Sequence, residues 1–145
     1  MKSFVTALLP AIFLTLSLTS FDIGSNTAYL TGESKSGRTK LSIDLQDIVG
    51  QLEQASLQID GTGRIYNSDN ANVVFAPQNG VFTLYIQEAN NDYLKVWAIP
   101  STFKTIRNGN SKLYKFKANI EGSDPRKGKD ITPVITLTCQ LEYEI

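Results

Sequence analysis

Chemistry in this chain has to be built from carboxylates, because histidine is absent and cysteine occurs once. Without an imidazole there is no Ser-His-Asp or Cys-His activation of a nucleophile near neutral pH. Histidine sites for zinc, iron or copper are excluded with it, and one thiolate cannot complete a metal site. No glycine-rich turn leads from a strand into a helix, so nucleotide-binding fingerprints are missing. A glycoside hydrolase needs only two carboxylates at a fixed separation. The acids on offer are Asp44, Asp47, Glu53, Asp60, Asp69, Glu88, Asp92, Asp124, Asp130, Glu142 and Glu144. Nearly all fall in turn-rich stretches or on polar strand faces, where acids serve solubility, and they single out no pair. Asn67-Ser68-Asp69-Asn70-Ala71-Asn72 and Asn90-Asn91-Asp92 are oxygen-rich enough for calcium. Neither has the spacing of a calcium loop, and the same residues build tight turns. No catalytic residue, metal ligand or cofactor is assigned.

Two features could carry binding instead. In Tyr93-Leu94-Lys95-Val96-Trp97-Ala98-Ile99, alternation puts Tyr93, Lys95, Trp97 and Ile99 on one face and Leu94, Val96 and Ala98 on the other. Which face is buried depends on the register with Val81–Gln87, whose core face is expected to be Phe82, Leu84 and Ile86. A two-residue turn at Asn90-Asn91 pairs Leu84 with Trp97 and buries the tryptophan. A three-residue loop pairs Leu84 with Val96 and turns Tyr93, Lys95 and Trp97 outward beside Tyr85, as an aromatic platform for a sugar or a protein partner. Two-residue turns are the commonest, and Asn tolerates their positive φ, so the expectation is a core Trp97. If there is a ligand site, Tyr85, Tyr93, Lys95 and Trp97 are its candidates. The second feature is the loop 122–130, where Arg126, Lys127 and Lys129 could meet phosphate or sulfate groups. The bland alternative is a solvated connector.

The elements that must position these residues are strands. Leu41, Ile43 and Leu45 alternate with polar residues, as do Leu57 and Ile59, and Tyr114, Phe116, Ala118 and Ile120. The clearest case runs to the last residue: Ile135, Leu137, Cys139, Leu141, Tyr143 and Ile145 share one face, which makes Cys139 a small core residue rather than a reactive thiol. Turn clusters such as Gly61-Thr62-Gly63, Pro77–Gly80 and Asn108-Gly109-Asn110 separate the strands. Ile48, Val49, Leu52 and Ala55 have roughly helical spacing, which suggests a short helix near 47–55. The fold class is all-β: an antiparallel sandwich of eight to ten strands, mostly hairpin-connected, with a closed barrel as the alternative.

The first twenty residues combine Lys2, an apolar run from Phe4 to Leu18 and small residues at 17–20, the layout of a cleaved secretory signal. Residues 21–145 then form one domain, with no further span expected, in a secreted or periplasmic location. The lone Cys139 excludes an internal disulfide. Formal net charge is zero but unevenly spread: Lys104, Arg107, Lys112, Lys115, Lys117, Arg126, Lys127 and Lys129 face only Glu121 and Asp124 in the same stretch. Strand edges recruit lysines anyway, so this asymmetry reads first as solvated faces. Nucleic acid is not an expected partner. The expected function is an exported, non-catalytic module binding a glycan or protein partner. Alternatives are a lipocalin-like barrel carrying a small apolar ligand, a carboxylate-dependent glycosidase and a structural subunit of a surface assembly.

Overall fold

The structure is a computed structural model that describes residues 28–45, 52–87, 93–107, 109–124 and 128–144. The expected signal segment and the Asn90-Asn91 turn lie outside them. The strands are β1 (Ala28–Ser34), β2 (Thr39–Leu45), β3 (Leu52–Ile59), β4 (Thr62–Tyr66), β5 (Ala71–Ala76), β6 (Val81–Gln87), β7 (Tyr93–Ala98), β8 (Lys104–Arg107), β9 (Ser111–Asp124), β10 (Lys129–Asp130) and β11 (Ile135–Glu144). Short 3-10 turns at Pro77–Asn79 and Pro100–Thr102 follow β5 and β7.

All pairings are antiparallel, and they form one sheet in the order β4-β3-β2-β1-β11-β9-β7-β6-β5, with β8 and β10 attached to β9. The expectation of an antiparallel all-β domain holds, and of the two architectures the nearly closed barrel describes it. Strand direction alternates along the nine-strand path, so the edge strands β4 and β5 run the same way. The chain itself passes from one edge to the other through the turn Asn67–Asn70, and β3 approaches β5 across the seam. In that turn the Asn70 side-chain oxygen accepts from the Asn67 N–H and the Asn67 oxygen from the Asp69 N–H, both at 2.9 Å. The Asn67 and Asn70 oxygens thus shape this turn.

Leu30, Ile43, Leu57, Phe82, Leu84, Val96, Phe116, Ile120, Leu137 and Leu141 point inward, are buried and belong to one core cluster. Phe116 stacks on Phe103 with ring centroids 4.3 Å apart and meets Phe82 at 5.6 Å. Phe82 on β6 and Phe116 on β9 reach each other across β7, where Ala98 pairs with Ala118. Small residues there leave room for large rings on either side.

The expected helix near 47–55 is corrected where it is described: Leu52–Ala55 opens β3, while 47–51 lies outside the described residues. Leu45 pairs with Leu52 but Asp44 with Gln54, so a bulge inserts one extra residue. It turns Leu52 and Ala55, three apart, to the same interior, which imitates helical spacing. Partial burial, and then the charge of Glu53, raise the Asp44 carboxyl above its ordinary pKa.

Cys139 is buried and faces Gly32 across β1 and β11. A Cβ on Gly32 would lie 2.8 Å from the Cys139 Sγ and 3.3 Å from a Leu137 methyl. Gly32→Ala should therefore cost about 1–3 kcal/mol through overpacking. Combined with Cys139→Ala it should couple favourably by about 1 kcal/mol in urea melts. Strictly additive costs would show that the sulfur is not what the methyl meets. Burial pushes the Cys139 thiol up to about 12. The unfolded chain then releases this proton near the ordinary value of 9.0 while the folded chain retains it. Stability should fall as pH rises from about 9 to about 12, by up to about 1.4 kcal/mol per pH unit. Comparing wild type with Cys139→Ala over this range isolates the effect, and parallel curves would contradict it.

Candidate functional site

The register of β6 with β7 decides which aromatic face is outside. Thr83 pairs with Trp97, Leu84 with Val96 and Tyr85 with Lys95. This is the register of an odd-length loop, so the expectation of a core Trp97 is corrected. The reason lies in the neighbours. On its far side β7 pairs with β9, where Val96 meets Ile120 and Ala98 meets Ala118 beneath the phenylalanine rings. An inward Trp97 would have to displace those rings. Packing on two strands thus outweighs the turn preference of one hairpin.

The four candidate residues come together on the outer face. Tyr85 and Tyr93 occupy diagonal positions of the β6–β7 ladder, with ring centroids 5.8 Å apart and planes 13° from parallel. They are 40% and 45% exposed, so both rings present area to solvent. The Lys95 ammonium sits 5.9 Å from the centre of the Trp97 ring, within range of a cation–π attraction. Trp97 itself is half-buried, and its indole N–H is buried with no hydrogen-bond partner among the described residues.

Polar groups frame this aromatic row. Asn72 of β5 stands opposite Tyr85, Gln87 opposite Tyr93, and Glu121 of β9 opposite Lys95. Asn119 stands opposite Trp97 and accepts a hydrogen bond from the Thr136 hydroxyl at 2.8 Å. By sequence Asn119 was not singled out, Asn72 entered only in an oxygen-rich run and Glu121 only in the charge balance. They join the site only through strand order, and once β9 is known to flank β7, alternation identifies them. Aromatic faces with hydroxyl, amide and carboxylate groups at their rim can stack on an apolar ring face while bonding its polar edge.

The basic loop is placed only in part. Arg126 and Lys127 lie outside the described residues. Lys129 is exposed on β10 and pairs with Asp124, which is buried. Gly128 donates to the Asp124 carbonyl at 2.9 Å and Ile131 to the Gly122 carbonyl at 2.8 Å, which ties the loop back on the end of β9. Lys129 borders a depression shared with Ser34, Thr39 and Ile135. Among the described residues no group of three or more acids or thiols could hold a metal ion. Comparison with protein families, curated proteins and solved structures yields no match.

Trp97 is the only tryptophan, so its emission reports this face directly. Acrylamide should quench it in the native state, and Trp97→Phe should cost less than about 1 kcal/mol, against about 3–5 for truncating a core aromatic. Emission as protected as that of a core indole, with a large loss of stability, would overturn the outward placement.

Proposed function

We propose that this protein is an exported, non-catalytic barrel module that binds a glycan on the outer face of β6 and β7. The observation that carries this reading is the near-parallel Tyr85–Tyr93 pair, exposed and framed by Asn72 and Gln87. Solvent-exposed aromatic area on a rigid ladder is preorganised, so little freedom is lost when a flat ligand stacks on it. The single cluster of buried apolar side chains in the interior supports a surface site over a small apolar ligand carried within the barrel. Export is proposed from the signal-like layout of residues 1–20.

A protein partner is the second reading, and one observation favours it. Val74, in the row of Thr83 and Trp97, is 60% exposed, and Val81 is also exposed. An apolar fringe of this kind suits a larger, flatter contact than a saccharide makes. Neutral polysaccharides and oligosaccharides should be screened by the emission of Trp97. For a ligand found in that way, Tyr85→Ala and Tyr93→Ala should each weaken binding by about tenfold. Unchanged affinity in both variants would refute the platform. A contact that is lost in Val74→Lys but survives both tyrosine changes would move the assignment to a protein partner.

A further inference from the structure

A second feature of the outer face lies at the other margin of β9. Lys104 of β8 pairs directly with Lys115 of β9, and Lys117 follows two residues later on the same side. All three are exposed. Residues opposite one another in an antiparallel pair have Cα atoms about 4.5–5.5 Å apart. Alternate residues along a strand are about 6.5–7 Å apart. Three ammonium groups thus share one small patch, and like charges directly across a ladder destabilise it. Several other outward cations have acids to answer them: Lys95 stands opposite Glu121, Lys40 opposite Glu33, and Arg107 bridges to Glu142. Among the described residues Lys104, Lys115 and Lys117 form no ion pair.

The surface beside these lysines has a definite chemistry. A groove of about 540 Å³ crosses the outer face from β3 to β9 and ends at Lys115. Thr31, Ser42, Ser56, Thr138 and Gln140 line it, and Glu33 and Lys40, which face each other across β1 and β2, border it. A second depression, bordered by Ser101 and Thr102, gathers Lys104, Lys115 and Lys117 against Thr138. Hydroxyl and amide side chains both donate and accept hydrogen bonds, whereas the lysines only donate. The charge would suit any anion; the hydroxyl and amide lining suits one that is also rich in hydroxyl groups.

We propose that the Lys104–Lys115–Lys117 patch binds the carboxylate or sulfate groups of an acidic glycan whose sugar units lie along the Thr138–Gln140 side of the groove. This goes beyond the aromatic reading and rests on other residues, so either can fail alone. The repulsion stored in the free protein is relieved when an anion is bound, which makes the patch a receptor rather than a structural element.

The test titrates the mature protein with polygalacturonate and dextran sulfate, with neutral dextran as reference. Wild type should bind both acidic polymers, more weakly as salt is raised from 50 to 500 mM because exposed charges are screened. Lys104→Gln/Lys115→Gln should weaken binding at least tenfold. Lys35→Gln/Arg64→Gln, which removes equal exposed charge elsewhere, should stay within twofold of wild type. The lysine pair variant should melt no lower than wild type because it removes a repulsion. If it melts lower, the single Lys115→Gln is read in its place and should lose at least threefold. Equal losses in both double variants would overturn the proposal, as would wild-type binding to phosphatidylserine vesicles but to neither acidic polymer.

Discussion

Side chains on a strand alternate between two faces, and in a continuous antiparallel sheet the inward choice of one strand binds its neighbours. Here that constraint is focused on β9. It is fourteen residues long and pairs with β7, β8, β10 and β11. Sending Tyr114, Phe116, Ala118 and Ile120 inward commits Lys115, Lys117, Asn119 and Glu121 to the outside. Through β7 the same commitment exposes Tyr93 and Lys95 and turns Trp97 away from the core. Through β8 it sets Lys104 against Lys115. Both candidate surfaces are consequences of one parity.

The parity is held by packing, since the single cysteine provides no crosslink. The interior combines large rings with small residues placed where the rings need room: Phe82 and Phe116 near Ala98 and Ala118, Cys139 against Gly32. Such complementarity leaves few ways to shift a strand by one residue, because every shift would exchange a buried apolar set for a polar one. Gly122 serves the same end. Its φ of +114° lets β9 approach the Tyr93 carbonyl and then bend toward β10. The edges β4 and β5 are joined by the chain itself at Asn67–Asn70, a turn further anchored where Gln87 donates to the Asn70 carbonyl at 2.9 Å.

The outer face is consequently free to specialise. Along β5–β6–β7 it carries aromatic area with polar groups at its rim; along β8–β9–β11 it carries cations beside hydroxyls and amides. The Lys95 ammonium over Trp97 belongs to the first surface, where Glu121 offsets its charge. Among the described residues the three lysines of the second surface have no such offset. That contrast separates a lysine that supports an aromatic ring from lysines left available to an anion.

Much of the strand content was legible in the sequence, because period-two alternation is a local property of the chain. It assigned the faces of the β2, β9 and β11 segments and placed Cys139 in the core. It also brought Tyr85, Tyr93, Lys95 and Trp97 forward as the residues to watch. What it could not decide was relational. The outward turn of Trp97 was set by β9 packing on the far side of β7, against the local preference of a two-residue turn. The spacing of Leu52 and Ala55 looked helical only because a bulge in β3 is invisible without its partner β2. The lysines were visible one by one, but their convergence needed Lys104 and Lys115 to be cross-strand partners. Alternation within a segment is written in the order of its residues; which strand lies beside it is settled by burying all the apolar faces together, and only the folded sheet does that.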